Sequence, residues 1–178
     1  MIKNILHTVF TKFSSAGLGF LTIILISQIL GPQAKGEQAI LVYNINLLLM
    51  CFTLIGNSTL IYLVPRKDFN TLIIPSLLWV VIAAIIASIV FICFINAEVS
   101  YTLICILIAI LASISAINQF ILLGKQKISQ ANTLKFLYPL ISFSYIVILW
   151  LCNRFSGVED FVIAMFIAYI VSFFYGVF

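Results

Sequence analysis

The side chains able to do chemistry in this chain are few and widely spaced. Five carboxylates and one histidine, His7, are spread over 178 residues, and none of the metalloprotease, paired-aspartate or serine-hydrolase motifs occurs among them. The four cysteines form no C-x-x-C pair of the kind that holds zinc. We therefore expect no enzyme activity, no metal site and no cofactor.

Uncharged polar residues recur at helical spacing inside apolar stretches. Asn46, Thr53 and Asn57 are separated by seven and then four residues, which places them on one face of a helix. Asn118 and Gln119 share a face further along the chain. Polar groups in hydrocarbon are costly unless they are paired, so such faces contact neighbouring helices or border a wet cavity. Interhelical hydrogen bonding is the simpler explanation, and a substrate cavity lined by these five residues is the alternative.

The composition indicates that lipid surrounds most of this chain. Hydrophobic residues make up 64% of it and charged residues 8%, whereas soluble domains are about 45–50% apolar and about 25% charged. No soluble core could bury so much apolar surface. The net charge of +4 does not indicate a nucleic-acid partner, because the basic residues lie in short loops and form no cluster on a polar domain.

Six apolar stretches reach the length of about 17–25 residues that a transmembrane helix needs. They lie near residues 13–30, 39–64, 72–95, 101–123, 136–152 and 161–178. All nine basic and five acidic residues fall outside them, as expected when a charge at a helix centre costs about 2.5–3.5 kcal/mol. The sequence predicts an all-α membrane protein, a bundle of about six transmembrane helices.

The first twelve residues predict a separate element before the membrane bundle of residues 13–178. Ile2, Leu6, Val9 and other apolar residues repeat at helical spacing, and polar residues occupy the rest of the helix surface. This pattern is typical of an amphipathic helix that lies in the head-group layer.

A polar stretch at residues 31–39 separates the first two predicted spans. Gly31 tolerates the left-handed conformation that closes helices, and Pro32 lacks the backbone N–H that continues them. Gly36 is a second flexible point. We expect a hairpin whose hinge consists of Gly31, Pro32 and Gly36.

The distribution of lysine and arginine predicts the orientation. If all six spans cross, seven of the nine basic residues share one side, namely Lys3, Lys12, Arg66, Lys67, Lys125, Lys127 and Lys135. Only Lys35 and Arg154 lie on the other side. Because basic loops stay in the cytoplasm, both termini are expected to be cytoplasmic.

Three of these basic residues stand at the cytoplasmic ends of predicted spans. Lys12, Arg66 and Lys135 would surround a cytoplasmic mouth if the helices bundle, and would there attract an anionic lipid head group. Anchoring of the topology explains the same residues without any ligand, and is the simpler interpretation.

Several stretches of this chain resemble one family of membrane transporters. They are residues 29–39 (ILGPQAKGEQA), Gly56 with Asn57, residues 62–65 (YLVP) and residues 123–135 (LGKQKISQANTLK). Each is similar to its counterpart in the polysaccharide-export flippases of the multidrug/oligosaccharidyl-lipid/polysaccharide superfamily. The likeness runs across nearly the whole chain.

The resemblance implies a transporter built from two lobes of six helices. Such proteins move oligosaccharide linked to polyprenyl pyrophosphate across the cytoplasmic membrane by alternating access, for surface polysaccharides such as O-antigen. Six spans match one N-terminal lobe, so we expect the chain to be truncated or to need a second lobe or a second copy of itself. The alternatives are a drug or metabolite exporter of the same superfamily and a membrane scaffold that transports nothing.

Overall fold

The computed structural model describes residues 2–54, 58–67, 69–94, 99–155 and 157–177, and no strand occurs among them. The helices are α1 Ile2–Phe52, α2 Ser58–Leu63, α3 Phe69–Phe94, α4 Val99–Gly124, α5 Ile128–Leu151 and α6 Val158–Val177. The expectation of an all-α protein is thereby confirmed.

Five helices in the described part of the chain are long and apolar enough to cross a membrane. Their apolar portions are Leu6–Phe52, Thr71–Cys93, Ser100–Gly124, Ile128–Leu151 and Val158–Gly176. This set is compatible with a multi-pass membrane protein. It differs from the six predicted spans because the first span and most of the second lie within α1.

A single residue divides α1 into two helical segments. Gly31 has φ 79° and ψ −178°, a left-handed φ that glycine adopts without the steric cost that a side chain brings. Pro32 then opens the second segment, where its missing N–H is not needed. At 1.5 Å per residue the first segment is roughly 43 Å long and the second roughly 31 Å, so each could cross about 30 Å of hydrocarbon. The break coincides with the first two predicted hinge residues.

The predicted hairpin at residues 31–39 is not a loop, because the chain is helical again from Pro32 onward. Glutamine, alanine, lysine and glutamate are good helix formers, and one internal glycine, Gly36, costs only about 1 kcal/mol. The ammonium group of Lys35 also donates a hydrogen bond to the Gln38 side chain one turn later. The stretch is polar without leaving the helical conformation.

The bounds of two further predicted spans differ in the structure. The span predicted at 39–64 is interrupted, since α1 ends at Phe52 and α2 begins at Ser58. The indole N–H of Trp79 donates to the Cys51 carbonyl at 3.1 Å and satisfies one of the carbonyls at the end of α1. The fifth helix starts at Ile128 instead of near 136, because polar residues at a membrane surface continue the helix, so Lys135 lies within α5.

The remaining predicted bounds are those of α3, α4, α6 and the first twelve residues. Helices α3, α4 and α6 begin and end within a few residues of their predicted spans. Helix α1 continues through residue 12 without a break. The interfacial position of residues 1–12 stays a prediction.

One compact unit consists of Met1–Leu41 and Ile128–Phe178. Within it α5 and α6 form an antiparallel pair, and the rings of Tyr138 and Tyr169 stack with their centroids 4.5 Å apart. Ala164, Ala168 and Ser172 recur every four residues along α6 and are fully buried. Small residues at this spacing let helix backbones approach closely in lipid.

In the same unit, the first segment of α1 runs parallel to α5. Near the start of both helices, Asn132 Nδ2 donates a hydrogen bond to Thr8 Oγ1 at 2.7 Å. Near the other end, Gln28 of α1 and Trp150 of α5 line one hollow. The first segment of α1 and α5 are therefore parallel, with contacts near both ends of α5.

The second compact unit, Val42–Lys127, is arranged around α4. Asn44 Nδ2 donates to the Tyr101 hydroxyl at 3.0 Å, at the beginning of α4. Val64 lies against Gly124 at the other end of α4. The stretch 44–64, which contains the end of α1 and all of α2, thus runs beside α4 and in the same direction.

We expect Gly124→Ala to destabilise the protein by about 1–3 kcal/mol, the usual cost of overpacking. A Cβ atom at this position would lie 2.7 Å from Val64 Cβ and 3.2 Å from the Ile61 carbonyl oxygen. Thermal unfolding of the detergent-purified protein, followed by circular dichroism, measures the effect. The matched control is Gly19→Ala, also within a helix, whose added Cβ meets no atom within 4 Å. Equal melting temperatures for the two variants would contradict the close approach of α4 to α2.

Candidate functional site

The residues predicted to line a cavity are distributed unevenly in the structure. Asn46 is exposed, and Thr53 is half-buried. The Thr53 hydroxyl donates to the Leu49 carbonyl at 2.8 Å and so is already used within its own segment. Asn57 lies outside the described residues. A cavity lined by these three side chains stays a prediction.

The polar face of α4 is a stronger candidate. We define it by Ser115, Asn118 and Gln119. On α4, Asn118 lies three residues after Ser115 and Gln119 lies four residues after it. Ser115 and Asn118 are buried and Gln119 is half-buried. Half of the most apolar stretch of α4 is buried, a larger share than in any of the other four candidate membrane helices. These amides and the hydroxyl therefore lie on the most enclosed helix of the described chain.

The Asn118 amide is the unusual group of this face. Its Nδ2 atom is buried and has no hydrogen-bond partner within the described part of the chain. A buried donor left unpaired costs about 1–3 kcal/mol, and nearly all buried polar groups in proteins are paired. Because this donor is buried within the chain itself, its hydrogen bonding is completed only by an enclosed water or after a movement of the helices that opens this face.

The position of Asn118 along α4 places it well inside the apolar slab. It lies roughly 9 Å along the helix axis from Gly124, at a rise of 1.5 Å per residue. Thr102, whose buried hydroxyl also lacks a partner among the described residues, is roughly 24 Å away along the same helix. The two groups therefore belong to different levels of the membrane and cannot bind one small group together.

The basic head-group candidates are all exposed. Lys12 and Lys135 belong to one compact unit, and each lies about one turn beyond the hydrogen bond that joins Thr8 to Asn132. These two lysines are therefore at one level of that unit. Arg66 belongs to the other unit, and a mouth surrounded by all three residues stays a prediction.

Arg66 has the most structured surroundings of the three. Its guanidinium carbon lies 4.0 Å from the centroid of the Tyr62 ring, and its Nη1 atom donates a hydrogen bond to the Tyr62 hydroxyl. Beside it is an open hollow of about 600 Å³ lined by Pro65, Arg66, Lys67 and Thr71. Sequence analysis selected Arg66 but not its neighbours, whose grouping depends on the turn between α2 and α3.

Sequence analysis also missed a polar cluster at the start of α1. Besides the bond from Asn132 to Thr8, Thr11 Oγ1 donates to the His7 carbonyl at 2.9 Å. His7 Nδ1 is buried without a partner among the described residues. Thr8 and Asn132 are 124 residues apart, and no local pattern reports a contact at such a separation. Asn132 was visible only as part of the stretch that resembles the flippases.

The hollow between α1 and α5 is mainly apolar. It measures about 410 Å³, and its lining is Leu21, Ile24, Leu25, Gln28, Ile29, Phe143 and Trp150. Gln28 contributes its only amide. Such a lining accepts hydrocarbon and offers little to a charged group.

Among the described residues, no group of three or more His, Cys, Asp or Glu side chains comes together to bind a metal ion. The four cysteines are free, with Cys105 buried and Cys51, Cys93 and Cys152 exposed.

No protein-family model, no curated protein and no solved structure matches this chain. Evidence about its function therefore comes from its own residues and their arrangement.

Asn118→Leu and Asn132→Leu should change stability in opposite directions. Leucine at 118 removes an unpaired amide, so we expect the free energy of unfolding to rise by about 1 kcal/mol. Leucine at 132 removes the hydrogen bond to Thr8, so we expect a fall of about 1–2 kcal/mol. Thermal unfolding in detergent measures both. A matching loss of stability in the two variants would show that the Asn118 amide is paired.

Proposed function

We propose that this chain is one six-helix lobe of a flippase that moves lipid-linked oligosaccharide across the cytoplasmic membrane for surface polysaccharide biosynthesis. The observation that carries the proposal is the buried, unpaired amide of Asn118 within the apolar helix α4. The resemblance of residues 29–39 and 123–135 to polysaccharide-export flippases supports the choice of substrate class.

This transport needs hydrogen-bonding groups next to an apolar surface, and the lobe has both. A polyprenyl pyrophosphate carrier keeps its hydrocarbon tail in the bilayer while its glycan crosses hydrocarbon, where every unpaired hydroxyl is costly. A protein that lowers this cost offers hydrogen-bonding groups next to an apolar surface. The polar face of α4 supplies such groups, and the exposed aliphatic side chains of α3, including Ile74, Leu78, Val81 and Ile85, supply a lipid-facing surface.

We propose that the chain crosses the membrane six times. This is one crossing more than the number of described helices that are each long and apolar enough to span it, which is five. The stretch 8–28 is parallel to α5, and the stretch 44–64 is parallel to α4. In a chain that crosses repeatedly, odd-numbered crossings run one way and even-numbered ones the other. Both parallel pairings therefore fit a chain in which 8–28 is the first crossing and 44–64 the second, with α4 and α5 as the fourth and fifth.

The orientation follows from the charged connections. The connections after α2 and α4 carry Arg66, Lys67, Lys125 and Lys127, which places them in the cytoplasm under the positive-inside rule. With six crossings, both termini then face the cytoplasm as well. The localisation that we propose is the cytoplasmic membrane.

A partner for the lobe is part of the proposal. Ser115 and Asn118 are buried in this arrangement, so the polar face of α4 borders a transport path only after the helices around it part and a second surface encloses the opened face. We assign this surface to a second lobe or to a second copy of the chain, as in the two-lobe transporters that the sequence resembles.

Topology can be tested with two single-cysteine variants, Gln33→Cys and Lys127→Cys, in a version whose native cysteines are replaced. Both positions are exposed. We expect a membrane-impermeant maleimide to label residue 33 in intact cells and residue 127 only after permeabilisation. Labelling of residue 127 from outside would reverse the orientation, and a residue 33 that reacts in neither condition would mean that α1 crosses only once.

Transport can be tested in cells from which the gene has been deleted. We expect deletion to abolish surface polysaccharide and wild-type protein to restore it. Asn118→Leu should restore it about tenfold more slowly at equal membrane abundance, because about 1–1.5 kcal/mol of hydrogen bonding to the substrate is lost.

The comparison variant is Thr59→Val, which removes a polar group at an exposed position of the same compact unit. We expect close to wild-type surface polysaccharide from it. Altered sensitivity to toxins with normal polysaccharide would instead indicate a drug or metabolite exporter. Full restoration by Asn118→Leu would remove the polar face of α4 from the transport path.

A further inference from the structure

The hollow beside Arg66 has the lining of an anion site. Its volume is about 600 Å³, which leaves ample room for a phosphate group and its substituents. Two cationic side chains, Arg66 and Lys67, and the hydroxyl-bearing Thr71 line it together with Pro65. The stretch 65–71 carries one acidic residue, Asp68, which lies outside the described residues, so its formal charge is +1.

Tyr62 positions the guanidinium of Arg66. The ring lies beneath the guanidinium at 4.0 Å, and the phenol oxygen accepts a hydrogen bond from Nη1. Cation–π contact and this hydrogen bond restrict a side chain that would otherwise sample many rotamers. A guanidinium has five N–H donors in a planar fork, and the bond to Tyr62 uses one of them. A fork of this kind matches two oxygens of one phosphate group.

The hollow lies at the level where lipid head groups are found. The apolar stretch of α3 begins at Thr71, so the residues just before it stand at the edge of the hydrocarbon. Tyr62 is 58% exposed, and exposed tyrosine is typical of the membrane–water interface. Thr71 of the lining belongs to the first turn of α3, and the positive end of a helix dipole favours a nearby anion.

We infer that this hollow binds a phosphate group at the cytoplasmic surface of the membrane, with Arg66 and Lys67 as its ligands and Tyr62 as the residue that positions Arg66. The phosphate comes either from the head group of an anionic lipid or from a free phosphate compound. The inference depends on insertion of the chain in a membrane and does not depend on transport. It leaves out Lys12 and Lys135, which do not line the hollow.

The test is native mass spectrometry of the full chain in a neutral detergent, titrated with phosphatidylglycerol. We expect the double variant Arg66→Gln/Lys67→Gln to bind this lipid about tenfold more weakly than the wild type, since each basic residue near an anionic head group contributes several-fold. The matched control is Lys125→Gln/Lys127→Gln, which removes the same charge from two exposed residues of the same compact unit. We expect less than a twofold change from it.

A second arm separates the two sources of phosphate. Inorganic pyrophosphate is added at millimolar concentration to the complex with phosphatidylglycerol. Displacement of the lipid assigns recognition to the phosphate group itself, and retention assigns it to the intact lipid head group. Both results support the hollow, provided that the Arg66/Lys67 variant has lost the binding.

Two milder variants test the same site in case the double variant does not fold. Tyr62→Phe removes the acceptor of the Arg66 hydrogen bond and keeps the ring, and we expect a loss of about two- to fivefold. Arg66→Lys keeps the charge and loses the fork, and should lie between the wild type and the double variant. Equal binding by the wild type and the Arg66/Lys67 variant, equal loss in both double variants, or no binding of either ligand by the wild type overturns the inference.

Discussion

Hydrocarbon offers no hydrogen-bond partner to a peptide group, and this constraint underlies every element of the structure. A backbone that crosses lipid has to satisfy its own N–H and C=O groups, which an α-helix does within one segment. The described residues are accordingly helical wherever the chain is apolar over a long stretch. Within the described ranges, departures from helix are confined to short connections and to Gly31, where a positive φ breaks the helix without the steric cost that a side chain brings.

The same constraint makes each buried polar side chain informative. Most hydroxyls on these helices donate to a carbonyl three or four residues earlier, as Ser76, Ser88 and Ser172 do, and so need no outside partner. Asn132 finds its partner across the bundle at Thr8. Asn118 finds none among the described residues. The same is true of His7 Nδ1 and the Thr102 hydroxyl, and Asn118 differs from them in lying beside Ser115 and Gln119 on the polar face of α4.

Charge acts at the borders of the lipid slab. Under the positive-inside rule, the number of basic residues on each side predicts the orientation, an effect that needs no defined geometry. Arg66 goes beyond this role because Tyr62 holds its guanidinium beside a hollow that Lys67 and Thr71 complete. A charge that only anchors topology needs no aromatic support. Each compact unit has a hydrogen bond between parallel segments, Asn132 to Thr8 in one and Asn44 to Tyr101 in the other. The second unit also has the polar face of α4 and the cationic hollow.

Some properties of this protein follow from the sequence by itself. Composition indicates a lipid environment, the lengths of the apolar stretches predict the helices, and Gly31-Pro32 marks the break in α1, because each depends on local chemistry. The stretch 31–39, expected to connect two helices as a polar turn, is helical from Pro32 onward, since polarity alone does not end a helix whose residues favour it. Asn46 and Asn118 look alike in sequence, yet one is exposed and the other is buried.

Only the tertiary structure separates these two asparagines. A membrane helix is apolar on its lipid-facing side as well as on its packed side, so its sequence carries no amphipathic signal of which side packs. On α3, for example, Ala83 and Ala84 are buried while Ile82 and Ile85 face outward. The partner of each face comes from residues far along the chain, as with Thr8 and Asn132, and is decided only when the helices pack.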